Sequence, residues 1–167
     1  IKENGIIGIY NKEKLNEGDL KEFFLKIKNR EINGANITVP FKRDAIAYLD
    51  QLSLEAEKTQ SVNTVYLKKD KIIGHNTDID GFELAIKDAN YNVEGKRVLI
   101  LGAGGVVPSV IFALYKMKVL SVTISNRTKS KAENLKSLFN NLEIVDWGES
   151  SNFDLSLIHI SEPTRHT

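Results

Sequence analysis

A chain of 167 residues with 41% hydrophobic and 27% charged side chains can bury a core as one domain or two small ones. Its net charge of +1 is spread without basic blocks and no apolar run reaches membrane-spanning length, so neither nucleic acid nor a membrane is indicated as a partner. The absence of cysteine excludes disulfides and thiolate metal sites and fits a reducing cytoplasm; the opening residues from Ile1 do not read as a signal peptide.

In chain order, Gly5-Ile-Ile-Gly-Ile-Tyr10 reads as a short strand followed by a polar loop to Gly18. Asp19 then reads as a helix cap. Leu20, Phe23, Phe24 and Ile27 recur at helical spacing, giving one buried stripe that ends near Lys28-Asn-Arg30. These aromatics read as core rather than as a ligand platform.

Gly34-Ala-Asn-Ile-Thr-Val-Pro-Phe-Lys42 carries more chemistry. In a strand, Asn36 and Thr38 share one face while Ile37 and Val39 pack behind, and Pro40 stops the strand. Lys42 is expected in the first turn of a helix over residues 41–52. There the macrodipole opposes an ammonium, which favours proton release and suits proton transfer. The plainer alternatives are a surface lysine and, for Asn36, a turn residue.

Residues 54–60 read as a short polar helix and residues 61–67 as a strand in which Asn63 points opposite to Val62. Lys68 to Lys71 reads as a hairpin turn, and a returning strand over 72–75 leads through Asn76 and Thr77 to Asp78 at the start of a helix over 79–89. Asp78 can be a helix cap, a reactive carboxylate, or both. His75 has no partner at metal-ligand spacing and reads as a turn residue.

Val98-Leu-Ile-Leu-Gly-Ala-Gly-Gly105 is a buried strand that ends in glycines, followed by an apolar helix over 106–117. In such a unit Gly102 permits the tight turn and Gly104 lets backbone approach a pyrophosphate seated on the helix N-terminus. Val107 stands where the fingerprint has Gly or Ala, which implies a slightly wider helix-to-strand spacing. The next strand, over 120–125, runs into Asn126-Arg-Thr128 and a helix that contains Lys131. No acid occurs between Gly102 and Glu133, while Arg127 and Lys131 supply cations where a 2′-phosphate would lie. NADP is therefore expected over NAD. Thr128 reads as the helix cap.

Five motifs in register carry a family resemblance: the Gly34 to Lys42 segment, Val62-Asn-Thr64, Gly74-His-Asn-Thr-Asp-Ile-Asp-Gly81, Gly102-Ala-Gly-Gly105 and Asn126-Arg-Thr128. In this order and spacing, from about Gly5 to Asp154, the chain resembles shikimate dehydrogenase. The resemblance implies an α/β protein in two lobes, a substrate-binding domain and part of a Rossmann-type NADP domain, with reversible NADPH-linked reduction of 3-dehydroshikimate to shikimate. It implies Lys42 and Asp78 as the catalytic pair, and Asn36, Thr38, Asn63 and Thr77 as substrate contacts. Cofactor contacts would come from Gly102, Ala103, Gly104, Gly105, Asn126, Arg127, Thr128 and Lys131, with no metal. A cytoplasmic monomer or homodimer is expected.

The expected division is 1–77 for substrate binding, 78–154 for NADP, and 155–167 as a non-native tail in which His159 and His166 have no role. Each lobe is expected to hold a mostly parallel sheet, with the cleft at the carboxyl ends of the strands. The family's Ser-rich opening segment is absent from the sequence, as are the later strands and the helix with a substrate-binding Gln. Two alternatives stay open at this level: an NAD-dependent quinate/shikimate dehydrogenase, and a non-catalytic dinucleotide- or metabolite-binding fragment.

Overall fold

The computed structural model describes residue 5, residues 8–148 and the backbone of residues 157–160. Two sheets organise them. The first has the order β1-β3-β4-β2, from β1 (Gly34–Asn36), β2 (Gln51–Leu52), β3 (Thr64–Lys68) and β4 (Lys71–His75). The second has the order β7-β6-β5-β8, from β5 (Arg97–Leu101), β6 (Ser121–Ser125), β7 (Leu142–Val145) and β8 (Leu157–Ile160). Among the described helices, none is long and apolar enough to cross a membrane.

The first sheet corrects the expectation of a mostly parallel arrangement. Only β2 and β4 run parallel, whereas β3 pairs antiparallel with both β1 and β4. The cause is the connection: Lys69 and Asp70 both take positive φ, 47° and 62°, in a two-residue turn that can only reverse the chain. The second sheet is parallel throughout. Its order turns around at β5, which has β6 on one side and β8 on the other, and this is the switch point where ligands enter such sheets.

Helix α1 (Leu20–Lys28) buries the whole predicted stripe, and Phe24 stacks on Tyr48 at 5.1 Å between ring centres. That packing joins α1 to the segment after Lys42, and each fully buried Phe or Ile contributes roughly 1.5–3 kcal/mol. Asp19 does not cap α1 with its side chain; its carboxylate accepts from the Asn16 amide at 2.8 Å. The strand expected over residues 5–10 is not present at residues 8–10, which join no ladder among the described residues and where Ile9 is 89% exposed; residues 6–7 lie outside the described part.

The helix expected over 41–52 is also corrected. A 3-10 helix occupies Asp44–Tyr48, and β2 follows. Competing partners explain this: the Lys42 carbonyl accepts from Val62, and the Asp50 amide donates to Ile72, so both ends are drawn toward the sheet. Helix α2 (Leu54–Thr59) is capped by the Ser53 hydroxyl, and α3 (Asp78–Asp88) leads toward the second sheet.

In the second lobe, β5 and β6 bury Val98, Ile100, Val122 and Ile124 against α4 (Val107–Lys116) and α5 (Lys129–Leu138). Val107 is fully buried in that core. Residues 157–160, set apart by the sequence as part of a tail, extend the sheet beside β5; the isoleucines of Leu-Ile-His-Ile suit a strand. His159 lies in β8, and His166 is outside the described residues.

Candidate active site between the lobes

The site begins with the polar face of the first sheet. Asn36 sits opposite Thr64 across the β1–β3 ladder, and its Nδ2 donates to Thr64 Oγ1 at 3.3 Å. The Thr64 hydroxyl donates to Asn63 Oδ1 at 3.1 Å, and Tyr10 donates to Asn36 Oδ1 at 3.3 Å. Asn63 in turn bonds the start of α3: its Nδ2 donates to Asp78 Oδ1 at 2.8 Å, and its Oδ1 accepts from the Thr77 amide at 3.0 Å. Lys42 Nζ closes the chain with a 2.6 Å bond to Asp78 Oδ2.

Lys42 and Asp78 are partly withdrawn from water, with side chains 16% and 23% exposed. A charge-assisted bond there is stronger than on an open surface, yet both groups remain accessible to a small molecule. The macrodipole argument for Lys42 does not apply, since Lys42 precedes the 3-10 helix and its ammonium faces a carboxylate. Its placement comes instead from the Val62-to-Lys42 backbone bond. Asp78 is the first residue of α3 and not its cap; its own amide is held by Asn76 Oδ1 at 3.1 Å.

Thr38 is exposed beside this network, with its carbonyl accepting from Phe41. The structure thus joins Asn36, Asn63, Thr77, Asp78 and Lys42 in one hydrogen-bonded set and places Thr38 on the same segment as Asn36 and Lys42. Tyr10, Thr64 and Asn76 belong to the set and were missed. Thr64 could have been found from the alternation of the strand, and Asn76 from its position two residues before an acid at a helix start.

Lys42 also lines a cleft of about 320 Å³ whose opposite wall includes Ala103, Gly104, Gly105 and Lys131. Gly102 has φ of 104°, a conformation that disfavours any side chain, and its amide donates to the Ser125 carbonyl at 2.8 Å. At Gly105 a β-carbon would lie 3.4 Å from Val39 Cγ2, so the turn approaches the first lobe closely. In the first turn of α4 the Val107 and Ser109 amides already donate to the Gly104 and Val106 carbonyls and Pro108 has no N–H, so the approach to an anion falls to the backbone of the glycine turn itself. These features fit a dinucleotide pyrophosphate.

At the end of β6, Asn126 Nδ2 donates to the Thr128 carbonyl at 2.7 Å, and Arg127 is exposed. Thr128 occupies the cap position of α5 in extended conformation, but its side chain makes no capping bond. Lys129 pairs with Asp146 at 3.2 Å, whereas Lys131 turns to the cleft. His75 ends β4 and is not a turn residue, and no cluster of three or more His, Asp or Glu suited to a metal occurs among the described residues.

A glycine turn at the switch point of a parallel sheet, facing a lysine–aspartate pair held beside a second sheet, defines a two-lobed α/β protein whose second lobe is Rossmann-like. Sequence comparison makes this narrower. Residues 1–65 match the shikimate dehydrogenase substrate binding domain, and residues 83–151 match shikimate / quinate 5-dehydrogenase. The chain belongs to the shikimate dehydrogenase family.

The NADP(+) shikimate dehydrogenase of Pelagibacter ubique is 48% identical over 155 residues, covering 93% of this chain and 58% of that protein. The crystal structure of shikimate dehydrogenase from Aquifex aeolicus superposes with a TM-score of 0.88 at 35% identity, over 96% of this chain and 60% of that one. A shikimate dehydrogenase crystallised in complex with NADP+ gives 0.85 at 27% identity, over 97% and 58%. The chain therefore spans less than two thirds of the length of these relatives.

Proposed function

We propose that this chain provides the catalytic pair and the pyrophosphate turn of an NADP-linked oxidoreductase that interconverts 3-dehydroshikimate and shikimate in aromatic amino-acid biosynthesis. The observation that carries the proposal is the Lys42–Asp78 bond, set at the cleft that Gly104 and Gly105 line from the other lobe. Residues 1–77 form the substrate lobe in this reading and residues 78–154 the nucleotide lobe.

NADPH, when bound, supplies the hydride. The residues of the chain handle the rest. Charge that builds on the ketone oxygen is met by a proton from Lys42, and Asp78 holds that ammonium while orienting the hydroxyl that forms. Asn36, Thr38, Asn63 and Thr77 offer donors and acceptors to a polyol, so an analogue lacking a hydroxyl leaves one of them unpaired. On the cofactor side, Gly102, Ala103, Gly104 and Gly105 give the backbone approach, and Asn126 and Thr128 shape the loop that presents Arg127. Arg127 and Lys131 serve the 2′-phosphate, and the Asn126-Arg-Thr128 loop after β6 holds no acid of the kind that would favour the NAD-dependent alternative. The proposal includes a cytoplasmic location and a monomeric or homodimeric state.

The test is a steady-state assay with the chain carried to the length of its relatives, comparing NADPH with NADH and 3-dehydroshikimate with 3-dehydroquinate. Reduction of 3-dehydroshikimate with NADPH as preferred cofactor is expected. Equal rates with both cofactors, or a preference for 3-dehydroquinate, would displace this reading in favour of the quinate/shikimate alternative.

A further inference from the structure

Asn76 lies between β4 and α3, has no solvent exposure, and uses both ends of its amide. Its Oδ1 accepts from the Asp78 amide at 3.1 Å. Its Nδ2 donates to Thr59 Oγ1 at 3.0 Å, at the end of α2, and to Ser109 Oγ at 2.9 Å, in α4. Thr59 and Ser109 are buried as well, at 1% and 0% exposure. The Thr59 hydroxyl donates onward to the Glu55 carbonyl at 2.6 Å, which turns its lone pair toward Asn76.

A buried amide with every group satisfied is expensive to disturb, because removing one partner strands another polar atom away from water. Here the partners come from three helices. One is the helix whose first residue carries the carboxylate facing Lys42, and another is α4, whose start follows the glycine turn. A side-chain acceptor on the Asp78 amide fixes the backbone of that residue directly, so the carboxylate can be held at 2.6 Å from Lys42.

We infer that Asn76 is a positioning residue for Asp78, and that the hydroxyl of Ser109 in α4 helps to set the geometry of the Lys42–Asp78 pair. The inference rests on the functional reading of that pair. It makes the two lobes register at a single side chain: any shift of α4 along its axis moves Ser109, and Asn76 transmits the shift to the first turn of α3.

Amide hydrogen exchange on the 167-residue chain tests this without activity. Ser109→Ala and Thr59→Val are expected to speed exchange at the Asp78 amide about three- to tenfold, the worth of one net hydrogen bond. Thr59→Ser keeps the hydroxyl and is expected to exchange as wild type. Amides in β5 and β6 should be unaffected in all three. In a chain carried to the length of its relatives, Ser109→Ala should lower kcat with little change in KM for 3-dehydroshikimate. Unchanged exchange at Asp78, or acceleration spread evenly over the nucleotide lobe, would overturn the positioning role. A wild-type extended chain without dehydrogenase activity would instead remove the functional reading, and the exchange rates at Asp78 would still decide the role of Asn76.

Discussion

Replacing Lys42 separates what the Lys42–Asp78 pair does for chemistry from what it does for the fold. A positioned general acid or base is worth about 10²–10⁴ in rate, which at about 1.36 kcal/mol per decade is roughly 2.7–5.4 kcal/mol of barrier. The structural cost is smaller. A charge-assisted hydrogen bond contributes about 1.5–3 kcal/mol, and exposures of 16% and 23% place this pair toward the lower end. Asp78 also keeps its 2.8 Å bond from Asn63 when Lys42 is gone. Lys42→Ala should therefore lower turnover far more than stability, and leave KM close to wild type because Asn36, Thr38 and Asn63 remain. Initial rates followed by the absorbance of reduced nicotinamide, in a chain carried to the length of its relatives, measure the first. Thermal denaturation of the 167-residue chain measures the second. Lys42→Arg sharpens the comparison: it keeps the positive charge on Asp78 but scarcely releases a proton. If Lys42→Arg keeps near-normal kcat, Lys42 is an electrostatic anchor and the proton-transfer reasoning is wrong.

Arg127→Ala, and less strongly Lys131→Ala, should raise the KM for NADPH while leaving that for NADH nearly unchanged; equal effects on both cofactors in steady-state kinetics would show that neither residue reads the 2′-phosphate. At Gly34 a β-carbon would stand 2.5 Å from the Val65 carbonyl oxygen, so Gly34→Ala must push β1 off β3 and should cost about 1–3 kcal/mol by denaturant unfolding. Gly81, inside α3 with nothing within 4 Å of such an atom, should instead tolerate Ala or gain up to about 1 kcal/mol. The Ile72 amide and then the Lys28 ammonium hold the Asp50 carboxyl below its ordinary 3.8. A carboxyl depressed on folding stabilises the protein above its unfolded pKa, and the contribution disappears as pH falls through the folded value. Asp50→Asn should accordingly lower the Tm at neutral pH, with the gap to wild type closing in acid.

What the sequence made legible was local and periodic. The α1 stripe, the hairpin at Lys69 and Asp70, and the turn from β5 into α4 were readable because each is set by residues within one or two turns of chain. The losses came where distant partners compete. Nothing near residues 41–52 announces that Val62 takes the Lys42 carbonyl and Ile72 takes the Asp50 amide, so a plausible helix gave way to a 3-10 turn and a strand. Lys42 still reached Asp78, but through sheet registration and not through a helix dipole. Thr64 and Asn76 went unassigned for the same reason: their chemistry lies in which side chains they meet, Asn36 and Asn63 for one, Ser109 and the Asp78 amide for the other.

The glycine turn and the Lys42–Asp78 pair together serve one proposed transfer across the cleft, from nicotinamide to a ketone held beside the first sheet. Reducing 3-dehydroshikimate with NADPH deuterated at the transferable position of the nicotinamide, in a chain carried to the length of its relatives, tests it most directly. Nuclear magnetic resonance of the product should show one deuterium on the carbinol carbon formed from the ketone, with the hydroxyl proton drawn from solvent. A product without deuterium at that carbon, or label appearing only in water, would rule out direct transfer across the cleft.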